Sequence, residues 1–243
     1  MAEVQTVSIF GASGKIGDNV LDIISQHKER YNVKILTAKD NVEKLADLAA
    51  HWQPDFLVID DEAKRDRLVA ALPDFAGEIL CGAAGLVQAA KISVDLAVMA
   101  VTGFAALAPT FELIRQGARI VLANKECLVA GGALLMETAQ ENGAEILPAD
   151  SEHNGIFQLL QGHKPTSIEK SAIEKIVLTA SGGPFRTTSL EALRQVTPEM
   201  AIAHPNWDMG AKISVDSATM MNKGLELIEA QHLFALAPEQ CDV

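Results

Sequence analysis

The sequence has 243 residues, enough for one large domain or two smaller ones around a substantial core. Aromatic residues make up only 5%, aliphatic ones abound, and the formal charge of −12 argues against a nucleic-acid partner, which favours a basic face. Three cysteines, Cys81, Cys127 and Cys241, have no metal-ligand spacing and are odd in number, so they read as reduced thiols of a cytoplasmic protein.

In chain order, Thr6 to Phe10 reads as a buried strand, and Gly11-Ala12-Ser13-Gly14-Lys15-Ile16-Gly17 follows it. Ile16, Val20, Ile23 and Ile24 then give a helical pattern. Strand, glycine turn and helix is the context in which a glycine motif is credible. Glycines let the backbone approach a pyrophosphate at the helix N-terminus, where free N–H groups and the macrodipole favour anions. The spacing is G-x-x-G-x-x-G, a variant suited to a dinucleotide; the plain alternative is a tight turn. A second strand, Val33 to Ala38, ends in Lys39-Asp40-Asn41. An acid there favours the ribose hydroxyls of NAD and a base favours the 2′-phosphate of NADP, and both are present. Asn41 also reads as the N-cap of the next helix.

Further strands are expected at Phe56–Ile59, Glu78–Cys81, Leu96–Val101, Arg119–Leu122 and Ala144–Leu147, alternating with helices. That alternation predicts an α/β fold with a mainly parallel sheet. The most apolar stretch, Val94 to Pro109, contains Asp95, Thr102 and Gly103 and reads as strand, turn and helix, not as a membrane span. The N-terminus enters a strand within a few residues, without a signal-peptide pattern. Gln161 to Ser167 has the composition of an exposed loop.

Four polar clusters follow predicted strands: the glycine loop, Asn124-Lys125-Glu126, Asp150-Ser151-Glu152 and Ser181-Gly182-Gly183. Ligands of open α/β sheets gather beyond the carboxyl ends of strands, so four clusters on one sheet edge predict a cleft. Taken singly they are weaker. Lys125 has the look of any surface lysine, and Ser181 with two glycines is ordinary turn chemistry. The paired carboxylates Asp150 and Glu152 suit a hard cation.

A further helix is expected to start near Asp216 or Ser217, with Met221, Leu225 and Ile228 as its apolar stripe. Asn222 and Lys223 share a face with Glu226, and the plain reading is a solvated ion pair. Gly224 inside that helix costs up to about 1 kcal/mol relative to Ala, which suggests close approach of a ligand or another backbone. Trp207, in the Pro- and Gly-containing segment His204 to Gly210, suits a lid that covers bound substrate.

Taken together, Asp150 to Asn154, Ser181 to Arg186, His204 to Trp207 and Ser214 to Glu226 resemble the 1-deoxy-D-xylulose 5-phosphate reductoisomerase family, over essentially the whole chain. The resemblance implies a Rossmann-like NADPH-binding domain over residues 1–148, followed by an α/β catalytic domain over 149–243. It implies Asp150, Glu152 and Glu226 as ligands of Mg²⁺ or Mn²⁺, with Lys125, Ser151, Glu152 and Asn222 along the sugar. Ser181, His204, Ser217, Asn222 and Lys223 would surround the phosphate of a phosphorylated sugar substrate. NADPH would meet Gly11, Ser13, Gly14, Lys15, Ile16, Lys39, Asp40, Asn41, Asn124, Glu126 and Gly210. The implied reaction is rearrangement of 1-deoxy-D-xylulose 5-phosphate, by retro-aldol cleavage and re-addition, then reduction to 2-C-methyl-D-erythritol 4-phosphate. The family's pattern places a small residue and then a basic one after the second strand, whereas this chain has Lys39 and then Asp40. A turn near Val101 to Leu107 also departs from it. Family members continue well past Val243 and dimerise, so the chain is expected to be a fragment lacking a C-terminal helical domain.

Overall fold

Residues Gln5–Phe10 form strand β1, and the first unit of the protein is laid out on either side of it. The structure, a computed structural model, describes residues 4–160, 173–203 and 210–243. His204, Trp207 and the 161–167 segment therefore lie outside the described residues. Two compact units are present, Met1–Asp150 and Ser151–Val243.

In the first unit, β1 is followed by α1 (Lys15–Ser25), β2 (Tyr31–Ala38), α2 (Val42–Trp52), β3 (Phe56–Ile59), α3 (Arg65–Ala71), β4 (Glu78–Cys81) and α4 (Gly82–Ala90). Then come β5 (Leu96–Met99), α5 (Leu107–Arg115), β6 (Arg119–Leu122), α6 (Lys125–Asn142) and β7 (Glu145–Pro148). The seven strands pair in the order β4-β3-β2-β1-β5-β6-β7, every pair parallel. Strand order reverses between β1 and β5, which makes their carboxyl ends the topological switch point where such sheets bind ligands. The strands are near-continuous apolar runs because helices must cover both faces of a parallel sheet. Val7, Ile9, Leu36, Leu57, Ile59 and Val98 belong to one buried cluster.

Helix α1 shows how a glycine can override a hydrophobic pattern. The expected pattern of Ile16, Val20, Ile23 and Ile24 is only half kept: Ile24 is buried and Val20 packs against the core, but Ile16 and Ile23 are exposed, and Gly17 and Leu21 take the other inward places. A Cβ at Gly17 would lie 2.4 Å from the carbonyl oxygen of Ala12, so only glycine lets the helix seat this closely. That contact sets the rotation of the helix.

The second unit holds α7 (Ser151–Leu160), β8 (Ile176–Val177), α8 (Pro198–Ile202), α9 (Ala211–Ala218), α10 (Met221–Phe234) and β9 (Cys241–Asp242). Strands β8 and β9 form a separate parallel pair. The segment before Ser181 thus belongs to this small sheet, and Ser181 does not share the carboxyl edge of the seven-stranded one. The run Ile176 to Thr179 is too short and isolated to reveal which sheet it joins. A small core of Ile176, Leu178, Ala230, Phe234 and Leu236 packs this unit. Among the described residues no helix is long and apolar enough to cross a membrane.

Gly17→Ala is expected to destabilise the protein by about 1–3 kcal/mol, since the added methyl meets backbone that cannot move aside cheaply. Chemical denaturation would read it, and an unchanged midpoint would show that α1 can back away from Ala12.

Candidate active site

At the switch point, the carboxyl end of β1 is shaped by close backbone packing. Gly11 has φ +87, and a Cβ there would lie 2.6 Å from the carbonyl oxygen of Ala100, just after β5. Its N–H donates to the hydroxyl of Thr37 at 2.9 Å, and the N–H of Ala12 donates to the Thr37 carbonyl at 2.8 Å. Gly14 is the N-cap of α1 and offers no side-chain cap, so the first N–H groups of the helix are open to an anion. Lys44 braces this loop from α2, donating to the Ser13 carbonyl at 3.0 Å and pairing with Asp18 at 2.6 Å. Asn41 caps α2 as expected, its side-chain oxygen accepting from the N–H of Lys44. Lys15, Lys39 and Asp40 stand exposed nearby in sequence.

Beyond β6, Asn124 is buried and mostly occupied by the fold. Its side-chain oxygen accepts from the N–H of Cys127 at 2.8 Å, capping α6. Its amide nitrogen donates to the carbonyls of Val101 and Gly103 at 2.7 and 2.9 Å. The turn after β5 is therefore held at Val101 and Gly103 by Asn124. Lys125 pairs with Asp150 at 2.6 Å, both largely shielded. The exposed-lysine reading of Lys125 is overturned: an acid at the end of β7 faces it.

In the second unit the same chemistry is denser. Helix α7 opens with Ser151, Glu152 and His153, and α10 carries Asn222, Lys223, Glu226 and Glu229. The Lys223 ammonium, only 6% exposed, sits between two carboxylates: Glu152 Oε1 at 3.0 Å and Glu226 Oε2 in closer contact. It also donates to the carbonyl of Thr179. Asn222 donates to the other oxygen of Glu226, and the Ser151 hydroxyl donates to Glu152. Burial pushes the Glu152 carboxyl up, but the Ser151 hydroxyl and the Lys223 ammonium outweigh it and hold the group down at about 2. His153 is fully buried, with Nε2 2.9 Å from the backbone oxygen of Glu226 and Nδ1 3.5 Å from Glu229. The helices α7 and α10 are thus tied at two successive positions.

This overturns three expectations about α10. No helix begins at Asp216 or Ser217: α9 ends at Ala218, Met220 takes a left-handed φ of +61, and α10 starts at Met221. Asp216 pairs with Lys212 inside α9, and Thr219 donates to Val215 and Asp216 carbonyls, so these residues close one helix before the next opens. The supposed apolar stripe points outward, with Met221 57% and Ile228 38% exposed, while Lys223, Glu226 and Glu229 are buried. The reason is that these charges satisfy one another and α7, which an apolar face could not do. Gly224 has open space around a would-be Cβ, so no backbone of the described residues approaches it.

Ser181 begins a turn in which Gly182 and Gly183 both have positive φ, and the Gly183 N–H donates to the Ser181 hydroxyl. A Cβ on Gly183 would lie 2.5 Å from the Ser217 carbonyl, which draws this turn onto α9. Glu152, Ser181, Gly182, Ser217, Asn222 and Lys223 line a hollow of about 40 Å³, room for an ion or a water. Gly210 stands at the N-cap of α9. Glu229, buried on α10, joins the site through His153. Its signal was a buried-charge period, Lys223, Glu226 and Glu229 at three-residue steps, which hydrophobic patterning does not register.

Residues 7–132 match the family model described as 1-deoxy-D-xylulose 5-phosphate reductoisomerase, and residues 146–234 match that family's C-terminal domain. The chain belongs to the 1-deoxy-D-xylulose 5-phosphate reductoisomerase family. Curated reductoisomerases from Zymomonas mobilis and Laribacter hongkongensis are 47% and 48% identical, across 100% and 99% of this chain. The chain spans 61% and 62% of their lengths. A crystal structure of a reductoisomerase in complex with NADPH, fosmidomycin and magnesium superposes with a TM-score of 0.92 at 44% identity, covering 99% of this chain and 60% of that one. The Zymomonas mobilis reductoisomerase in complex with NADPH gives a TM-score of 0.89 at 45% identity, covering 98% and 60%.

Lys223→Gln is expected to destabilise the second unit by about 3–5 kcal/mol at pH 7, because buried Glu226 loses its counter-charge. The Glu152 carboxyl is depressed from 4.5 to about 2, so its ion-pair stabilisation is complete above pH 4.5 and lost as pH falls toward 2. The gap between wild type and variant in denaturant titrations should therefore shrink over that window. A gap of constant size would mean that packing, not charge, is what Lys223 supplies.

Proposed function

We propose that this chain carries the NADPH-binding and catalytic parts, residues 1–148 and 149–243, of an enzyme that rearranges and reduces 1-deoxy-D-xylulose 5-phosphate to 2-C-methyl-D-erythritol 4-phosphate. The observation that carries the reading is the gathering of Glu152 and Glu226 about one buried ammonium, in a member of this family. Relatives of this fold are described in complex with NADPH and magnesium, which supports the same cofactors here.

The donor set fits a divalent cation. Carboxylate oxygens are the hard ligands that Mg²⁺ and Mn²⁺ prefer, and one ammonium balances only one of the two carboxylates it touches. Asp150, Glu152 and Glu226 are the proposed ligands. A bound cation would supply Lewis-acid stabilisation for charge developing on substrate oxygens. The chain's own residues do the rest. Ser151 and Lys223 keep Glu152 ionised, and His153 and Asn222 fix the carboxylate of Glu226 and its helix in place. Lys125 brings a positive charge to the sugar beside Asp150. Ser181, Ser217, Asn222 and Lys223 offer hydroxyl, amide and ammonium donors to a phosphate end. His204 and Trp207 are assigned to the phosphate and the lid from the sequence alone. Gly11, Ser13, Gly14, Lys15, Ile16, Asn124, Glu126 and Gly210 are the proposed contacts to NADPH, with Lys39, Asp40 and Asn41 at the adenosine end. The full-length protein is proposed to act as a homodimer.

A second reading is favoured by one observation, that the chain spans about three-fifths of its relatives' length: it binds dinucleotide or phosphosugar without turnover. Loss of NADPH absorbance on adding 1-deoxy-D-xylulose 5-phosphate, dependent on Mg²⁺ or Mn²⁺, separates the two. Tight calorimetric binding with zero turnover would establish the second instead. Reduction without skeletal rearrangement, visible by NMR of the product, would point to a simpler sugar-phosphate dehydrogenase. Glu226→Gln should abolish the metal-dependent turnover while NADPH affinity stays within a few-fold, and full activity in that variant would remove Glu226 from the ligand set.

A further inference from the structure

The turn after β2 is where a dinucleotide fold distinguishes a 2′-phosphate from a free ribose hydroxyl. Here that turn opens with Lys39 and Asp40, whose charges cancel. The backbone ladder between β2 and β3 runs on past both strands: the N–H of Asp60 donates to the Ala38 carbonyl at 3.0 Å, and that of Asp61 to the Lys39 carbonyl at 2.8 Å. The extension brings the short 3-10 turn Glu62–Lys64, which follows β3, alongside the Lys39-Asp40 turn. Asp61 caps that turn through the N–H of Ala63. Lys64 then reaches back, and its ammonium donates to the carbonyl of Asp40 at 3.0 Å.

We propose that Lys64, delivered from the β3 side, is a specificity residue for the 2′-phosphate of NADPH, and that it acts with Lys39 to outweigh Asp40. The proposal rests on the dinucleotide reading of the first unit. Three lysines stand around this turn, and their partners sort them. Lys44 is committed to Asp18 and the Ser13 carbonyl. Lys39 lies on the turn itself and is exposed. Lys64 spends one N–H on the Asp40 carbonyl, and its nearest carboxylate, Asp61, is 3.8 Å away, a loose contact. An ammonium has three N–H donors, so Lys64 keeps capacity for an anion while its position is fixed by the carbonyl. Its side chain is one-third exposed, open to a ligand yet not free to wander. Asp40 in turn can accept from a ribose hydroxyl, so the pair reads both features of a phosphorylated ribose.

The test is calorimetric titration of the whole chain with NADPH and, separately, with NADH. Wild type should bind NADPH more tightly than NADH. Lys64→Gln should weaken NADPH roughly tenfold, the size of one charge-assisted hydrogen bond, while NADH affinity changes less than about twofold. Lys64→Arg should keep the preference, and a melting curve of each variant guards against misfolding. NADPH binding should also lose part of its salt dependence in Lys64→Gln. Equal weakening of both dinucleotides, or of neither, overturns the role of Lys64 while leaving the dinucleotide site intact. If wild type binds neither dinucleotide, the reading beneath the proposal fails, and the proposal fails with it.

Discussion

One buried ammonium organises the second unit. Lys223 reaches Glu152 on α7, Glu226 on its own helix and the Thr179 carbonyl after β8, so three separate segments converge on one nitrogen. Taking such a charge out of water is costly, and the arrangement holds only because several acceptors repay that cost at once. Without Lys223 the two carboxylates would repel, and α7 and α10 would be left with the polar tie at His153 between them. His153 then adds its own bridge one residue along α7. A site for polar chemistry has here taken over the role that apolar packing normally plays. The remaining apolar core of this unit is small.

The first unit is built by the opposite means. Its sheet is held by aliphatic burial, and apart from Ser8, buried within β1, its polar groups gather where strands end. There, single side chains each do several jobs. Thr37 serves the glycine loop with both its hydroxyl and its carbonyl, and Asn124 caps a helix while holding the turn after β5. Such residues make a loop rigid without making it apolar.

Much of this was legible in the sequence. Phe56–Ile59, Glu78–Cys81 and Arg119–Leu122 coincide with β3, β4 and β6, because a buried parallel strand is an unmistakable aliphatic run between turns. The cap at Asn41 was legible for the same reason: its chemistry is local. Illegible were the features decided by distant partners. Met221, Leu225 and Ile228 looked like a core stripe because helical periodicity carries no label for which face meets which neighbour. Only Glu152 and His153, some seventy residues away in sequence, make the charged face the inner one. The rotation of α1 was hidden likewise, since the contact of Gly17 with Ala12 is a matter of backbone distance. Lys64 gave no sign at all, because its meaning depends on the strand beside it.

The switch point between β1 and β5 also has a consequence in time. Strand β1 can pair with β2 almost as soon as both exist, but its other edge must wait for β5, in a register that joins Val7 to Leu96. At translation rates of about 5–20 residues per second, that edge stays open on the ribosome for on the order of ten seconds. During that interval Gly11 has no Ala100 to pack against, so the loop can be present before the crevice it borders is complete. An open, apolar central strand is a template for wrong partners until its right one arrives. The strand that carries the glycine loop is therefore also open to misassembly in the nascent chain.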